Sequence, residues 1–343
     1  MQSKSLSMRR ALSAALFVLL LVVVGSKNAL AQNQVATLQH NDTITGVFYG
    51  QNAFVSAHNA AVNGDIITLS SGTFNNCTIS KSITIRGAGC TYDSVSQVTP
   101  TIIPGDFDLQ SNSISFEGIW FTGIIKSWDT GNNNISFLKC HINRIGNFYY
   151  PGVRMNWQII NCIVKDIAMG GCSIHGMSII NSVVRFTRYD HTDLYNPTTL
   201  NNSIVLFDNG QPIKNIVAYN TVFSTVSEHE VTNCTFFNCI GIETGETLLF
   251  EGQTAQNVME VDSYEDVFET FDGTVTFDNS YQLKNDIATS FLGQDGTEVG
   301  IYGGMIPYRT RPNYMIIKNI NVAGRTTEDN KLNVEIELLN AGE

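Results

Sequence analysis

Short apolar runs of three to five residues fill the middle of this chain, broken by single polar positions and by Asn or Gly. One phrase returns: I-I-N-C-I at Ile159 to Ile163, I-I-N-S-V at Ile179 to Val183, L-N-N-S-I at Leu200 to Ile204, A-Y-N-T-V at Ala218 to Val222 and F-F-N-C-I at Phe236 to Ile240. Upstream, Gly72, Gly87, Gly105 and Gly118 hold the Asn position, and Lys139 is the exception between the two sets. The runs are too short for helices and rich in Ile, Val, Phe and Thr, which predicts strands. In Ile135 to Ile142, the residues Ile135, Phe137, Cys140 and Ile142 fall on the inner face, while Ser136 and His141 fall outside. The alternation breaks at Leu138-Lys139, where the chain must turn. Asn and Gly enter the left-handed backbone region at low cost, so they mark a recurring corner. Steps of 13 to 22 residues between corners mean stacked units.

These observations predict an all-β fold, a single-stranded parallel β-helix of about ten rungs, roughly 48 Å long. Stacked Asn side chains are expected to bond their neighbours above and below. Asn233 fits the phrase nearly as well as Asn238. Leu38 to Tyr49 reads as an opening strand. In Ala53 to Val62, the residues Phe54, Ala57 and Ala61 share one helical face, and Asn63-Gly64-Asp65 stops the helix. Such a helix would plug the open end of the coil. Rungs run from Ile66 to about Ile242, with excursions at Cys90 to Thr99, Ser127 to Asn134, Phe148 to Asn156 and Arg185 to Thr199. Thr274 to Phe277 and Tyr281 to Leu283 read as irregular final strands, and Leu292 to Pro312 as a Gly-rich loop. Tyr314 to Val322 and Leu332 to Leu338 read as a small C-terminal β cap. The expected division is a signal peptide at 1–31, the β-helix with its N-terminal cap at 32–290, and a loop and hairpin at 291–343.

The leader has a basic start (Lys4, Arg9, Arg10), an apolar stretch from Ala11 to Val24, and a cleavage site at Ala29-Leu30-Ala31. It predicts an exported protein, secreted, periplasmic or on the cell surface after cleavage near Ala31, without a transmembrane anchor. The residues after Ala31 comprise 16 basic and 31 acidic, which argues against nucleic acid as a partner. The acidity is concentrated after Cys239, where 18 acidic residues face 6 basic ones. Seven cysteines exclude a complete disulfide framework. Cys140, Cys162 and Cys239 share a repeat position with Ser182, Ser203 and Thr221, which predicts a ladder of small side chains. No C-x-x-C occurs and the His are scattered, so no metal is expected. Asp106 and Asp108 resemble a calcium pair, but two carboxylates alone do not make a site. The acidic cluster Glu260, Asp262, Glu265, Asp266 and Glu269 reads as a solvated surface. No cofactor is expected.

G-D-I-I-T-L-S-S-G-T-F at Gly64 to Phe74 and S-I-T-I-R-G-A-G at Ser82 to Gly89 resemble the opening of right-handed parallel β-helix proteins of the pectate-lyase-like superfamily. The leader and G-T-E-V-G-I-Y-G-G at Gly296 to Gly304 resemble secreted β-helix proteins of Bacteroidetes. The resemblance spans Asp42 to about Asn321 and implies the fold more than an activity. The superfamily includes polysaccharide lyases, polygalacturonases and non-catalytic adhesins. The N-T-D, D-D and G-H-G segments of polygalacturonase-like enzymes are absent, and no clear equivalent appears of the lyases' calcium Asp set with a catalytic Arg.

Between Lys139 and Arg188 stand Lys139, Arg144, Arg154, Lys165, Arg185 and Arg188 against one acidic residue, Asp166. Arg144, Lys165 and Arg185 have nearly equal offsets from the corner, which predicts like charges on neighbouring rungs and an anionic ligand between them. Tyr149, Tyr150, Trp157, Tyr189 and Tyr195 lie nearby in sequence, as flat rings suited to sugar faces. The stretch Arg185 to Asp193 adds Asp190, His191 and Asp193. The expected ligand-binding set is Arg144, Lys165, Arg185, Arg188, Tyr189, Asp190 and Asp193. Arg185, Arg188, Tyr189 and His191 are the catalytic candidates, with Tyr189 or His191 as the base of a uronate lyase. The expected function is interaction with polysaccharide, including anionic glycan. Its alternatives are a divergent polysaccharide lyase or glycoside hydrolase, and a structural or adhesive rod. The plain alternative for the basic residues is a solvated face.

Overall fold

The structure is a computed structural model. It describes residues 34–94, 98–127, 132–146, 152–169, 173–189, 195–208, 210–225, 230–243 and 249–310, together with the strands 316–326 and 332–339. The chain winds as an all-β parallel β-solenoid of about eight turns, consistent with a right-handed β-helix. Two long sheets form its main faces. The first opens with the antiparallel pair Val35–His40 and Thr43–Tyr49 and continues through parallel strands from Ile66–Leu69 to Thr254–Gln256. The second runs from Gly72–Thr73 to Met259–Val261. Short pairs make a third face, Val153–Met155 with Ser173–His175 and Ile213–Lys214 with Val231–Thr232.

The expected alternation holds. Register places Phe116, Phe137, Ile159, Ile179, Leu200, Ala218 and Phe236 one above another inside the coil. All are buried in one core, and the Phe116 and Phe137 rings stack at 5.3 Å. Burial of each large side chain contributes roughly 1.5–3 kcal/mol. At the first helix, α1 (Ala53–Ala60), Ala53, Phe54 and Ala57 enter the same core, with Phe54 6.4 Å from Phe107.

The corner between the two sheets explains the repeated phrase. Gly118, Lys139, Asn161, Asn181, Asn202, Asn220 and Asn238 all have positive φ, from 44° to 65°. Each backbone N–H at this corner donates to a carbonyl one turn on, as Asn161 to Ile180 and Asn181 to Asn201 do at 3.0 Å. Gly87 joins the column through its N–H to Glu117. Gly72 and Gly105 do not: Gly72 pairs with Thr101 in the second sheet, and Gly105 follows the strand Thr101–Ile103. Their removal from the series accounts for about eight turns where ten rungs were expected. Asn233 belongs to another corner, with Asn134, Asn156, Gly176 and Asn215.

The small-residue ladder forms as expected, one position after the corner. Cys140 N–H donates to Cys162 Sγ (3.3 Å), Cys162 N–H to Ser182 Oγ (3.0 Å), and Ser182 N–H to Ser203 Oγ (3.3 Å). Each hydroxyl or thiol then donates to the carbonyl two residues before it, such as Ser182 to Ile180 (2.8 Å) and Cys239 to Phe237 (3.3 Å). The cysteines of the described residues are free thiols; Cys172 lies outside them.

After Met259–Val261 the chain leaves the coil and folds back. Val267, Phe268, Phe271, Val275, Tyr281 and Leu283 cover Ile163, Val183, Ile204, Val222 and Ile240 on the outer face of the second sheet. That sheet is therefore buried on both faces, which explains its unbroken apolar strands such as Ile204–Phe207. Thr274 to Phe277 and Tyr281 to Leu283 belong to this cover, not to final rungs. Ile316–Thr326 and Leu332–Leu339 form a separate antiparallel hairpin, with Ile320 opposite Ile336 and Val322 opposite Val334.

Ser182→Val deprives the buried Cys162 N–H of its acceptor and is expected to cost about 1–3 kcal/mol. Cys162→Ser keeps the ladder chemistry of Ser182 and Ser203 and is expected to cost under about 1 kcal/mol. Urea unfolding midpoints at constant slope measure both; equal losses would remove the ladder's energetic role.

Candidate functional site

The six cations of the basic stretch do not share one surface. Lys139 is buried at the corner, where burial lowers its pKa. Arg154 is fully buried, with Nε donating to Ser127 Oγ at 2.9 Å. Arg185 Nε donates to Asp208 Oδ1 at 2.6 Å. Arg144 Nε lies 3.2 Å from Asp166 Oδ2 as an ion pair. Asp166 also accepts from Thr187 Oγ1. Arg144 stands five residues after its corner and Lys165 four, and their two strands stay in phase, so Arg144 meets Asp166 instead of Lys165; the next ladder slips between Val164 and Ile167. Asp166 enters between the two Arg and neutralises the expected like-charge stack. Arg185 itself lies in the strand Val183–Arg188, not in an excursion.

Lys165 and Arg188 make no ion pair with the described residues. Arg188 is exposed. Lys165 sets its Nζ over the Phe277 ring, 4.2 Å from the centroid. Tyr189 is in the core: its hydroxyl donates to Thr198 Oγ1 and the Lys214 carbonyl, both at 3.1 Å, and burial pushes its pKa far up. A tyrosine so placed is not a surface base. Asp190, His191 and Asp193, like Tyr149 and Tyr150, lie outside the described residues. Trp157 is buried, its indole N–H donating to the Asn132 carbonyl at 2.7 Å, and Tyr195 is exposed. Asp106 is held by Lys126 Nζ at 2.5 Å, which with the Ile124 N–H depresses its pKa. Among the described residues, no three metal-ligating side chains come together.

The sequence reading missed what the Asn column grips. Only Asn220 and Asn202 bond directly along it (3.3 Å). The column's amides hold instead a strap, residues 291–310, which runs back beside it. Asn238 Nδ2 donates to the Leu292 carbonyl (3.0 Å), and Asn220 Oδ1 accepts from Gln294 N–H (2.9 Å). Asn181 Nδ2 donates to Ile301 and Gly303 carbonyls (2.9 and 2.7 Å), and Asn161 Nδ2 to the Ile306 carbonyl (3.0 Å). Asn161 Oδ1 accepts from Arg309 N–H (2.8 Å). The Gly-rich composition of the strap follows from this approach. A Cβ at Gly293 would sit 2.7 Å from Asn220 Cγ, and one at Gly303 would sit 2.8 Å from Asn202 Nδ2. The Asn–Asn ladder does occur at the other corner, from Asn156 to Asn134 (3.1 Å) and Asn233 to Asn215 (2.8 Å).

Strap and first sheet enclose a groove of about 530 Å³, lined by Ile180, Asn201, Tyr219, Gln294, Asp295 and Met305. Tyr219 and Phe237 stack on successive turns at 5.1 Å and 14°. Both rings are half-buried and face outward, Asn201 is exposed, and Met305 is 97% exposed. Rings beside amides, on a rod with a repeat of about 4.8 Å, give a flat apolar surface flanked by hydrogen-bonding groups. The class that fold and groove define is a parallel β-solenoid with a side groove. No family model matches the chain, and no curated protein or solved structure matches it either.

His141 faces outward under the cover, 2% exposed, and stacks on Phe277 at 4.5 Å. Burial, with Lys165 nearby, pushes its pKa from 6.5 down to about 3. Its folded pKa is below its unfolded one, so its contribution is fully present above pH 6.5 and is lost as pH falls toward 3. His141→Phe is expected to flatten the fall in stability between those values, by on the order of a few kcal/mol; an unchanged pH profile would contradict the burial argument. Asn181→Gly keeps the left-handed backbone but loses both strap bonds. The expected cost is about 1–3 kcal/mol, with earlier proteolytic cleavage between residues 291 and 310. Wild-type cleavage rates would show that the amide does not hold the strap.

Proposed function

We propose that this is an exported, non-catalytic polysaccharide-binding β-helix, of the pectate-lyase-like superfamily and the type secreted by Bacteroidetes. The single observation that carries the reading is the groove beside Tyr219 and Phe237, with Asn201 and Gln294 at its wall. Sugar rings stack their apolar faces on aromatic side chains, and amides bond their hydroxyls. The groove follows the rod axis, so a linear chain would lie along successive turns. Binding of an anionic glycan would draw on cations not already engaged by carboxylates, and Arg188 meets that condition among the described residues. The competing lyase reading has lost Tyr189 as a surface base.

Retention on a panel of neutral and uronate polysaccharides tests the proposal, followed by titration calorimetry on the best ligand. Wild type is expected to bind at least one polymer without releasing unsaturated sugars. Tyr219→Ala is expected to weaken binding roughly tenfold, the loss of about 1.4 kcal/mol. No retention on any polymer, or equal affinity for Tyr219→Ala, overturns the reading; ultraviolet absorbance from unsaturated products replaces it with a lyase.

A further inference from the structure

The outer column of the second sheet changes character at one end. Register stacks Trp120, His141, Ile163 and Val183 on successive turns. From Ile163 onward the column is aliphatic and lies under the folded-back segment. At Trp120 and His141 it becomes rings and nitrogens, which packing alone does not require. Phe277 is the centre of this region. It lies flat on His141 (4.5 Å, 9°), meets Trp120 edge-on (5.8 Å, 74°), and carries Lys165 Nζ over its ring. With Tyr92 and the exposed Asp278, these residues are among those lining a cleft of about 550 Å³, within the usual range for small-molecule sites.

Among the described residues, two donors bordering this cleft have no acceptor. The Trp120 indole N–H is buried and makes no hydrogen bond. Lys165 has no carboxylate partner among the described residues. The indole calls for a cause, because buried unsatisfied donors are rare in folded proteins; the Lys165 side chain is half-buried. His141 adds no charge: its Nε2 is engaged with Tyr308 Oη at 3.2 Å, and burial keeps the ring neutral. Phe277 and Tyr92 give the walls their rings, Cys90, Thr91, Pro100 and Thr276 fill the rest, and Asp278 supplies an acceptor at the rim. The lining makes three demands: an anionic acceptor for indole and ammonium, a flat apolar body for the rings, and a donor for the rim carboxylate.

We infer that the Trp120–Lys165–Phe277 cleft binds a small hydroxylated aromatic carboxylate. Its carboxylate takes the Trp120 N–H and the Lys165 ammonium, its ring lies against Phe277 and Tyr92, and its hydroxyl donates toward Asp278. The site is separate from the groove at Tyr219, and the inference stands without the polysaccharide reading. The ammonium–carboxylate pair is strengthened by the low-dielectric walls, and the ring contact favours a planar body over a puckered one.

Titration calorimetry with 4-hydroxybenzoate, cyclohexanecarboxylate and galacturonate on the mature chain tests the assignment. Saturable binding of 4-hydroxybenzoate is expected, with the other two acids at least tenfold weaker. Lys165→Met keeps the apolar stem, and Trp120→Phe keeps a ring while removing the N–H. Each is expected to weaken 4-hydroxybenzoate at least tenfold with the melting temperature of the free protein not lowered by Trp120→Phe, since that change removes an unsatisfied donor. The inference is overturned by the absence of saturable binding, by unchanged affinity in both variants, or by galacturonate binding as tightly as the aromatic acid.

Discussion

The structure depends on a residue that holds a left-handed backbone once per turn while its N–H reaches the next turn. For most side chains that conformation is strained, by roughly 1–2 kcal/mol, and Asn tolerates it best after Gly. At Asn161, Asn181 and Asn202 the strain is offset twice over. The backbone N–H joins the ladder between turns, and the side chain grips the strap. Gly at these positions would make the corner as well, but it could not hold the strap. The division of the column into Gly at its start and Asn later therefore has a physical sense. Gly87 and Gly118 approach one another too closely for side chains: a Cβ on Gly87 would sit 2.4 Å from the Gly118 carbonyl oxygen. Amides take over where the strap passes.

From the strap follows the rest. A parallel β-solenoid with polar outer faces needs no cover, but the outer column Ile163, Val183, Ile204, Val222 and Ile240 is aliphatic and would be an exposed patch without one. The acidic, aromatic segment beyond the coil supplies that cover and is anchored by the Asn amides. The groove at Tyr219 exists because the strap stands beside the first sheet. The cleft at Trp120 exists because the cover reaches the column through Phe277 at a point where the column is no longer aliphatic. Both candidate sites are thus boundaries of one feature.

The winding of the chain was legible because inward residues recur with the same local grammar, apolar–apolar–Asn–small–apolar, and because Cys162, Ser182 and Ser203 are interchangeable in size and bonding. The second corner was harder to read. Asn134, Asn156, Gly176, Asn215 and Asn233 lack the small-residue partner that made the first series visible, apart from Asn233 before Cys234. The strap was legible only as a loop. A Gly-rich stretch says that backbone must come close to something, but the partner of Gly303 lies in residues about a hundred positions earlier, and no local pattern carries that.

The basic stretch shows the limit of counting offsets along strands. Equal distance from a corner places side chains side by side only if each strand keeps the same phase. Here Arg144 and Lys165 differ by one residue in that distance, the in-phase ladder sets Asp166 beside Arg144, and the next ladder slips between Val164 and Ile167, so a carboxylate stands where a third cation was expected. The alternation Arg144, Asp166, Arg185, Asp208 lets four charges occupy one partly buried face at little net cost, which three cations could not do. Lys165, left out of that alternation, turns to Phe277 instead. The same one-residue difference that closes the expected anionic groove therefore leaves Lys165 as the ammonium of the cleft at Trp120. A sequence argument about surface charge in a β-solenoid holds only once the phase of each strand at that position is known.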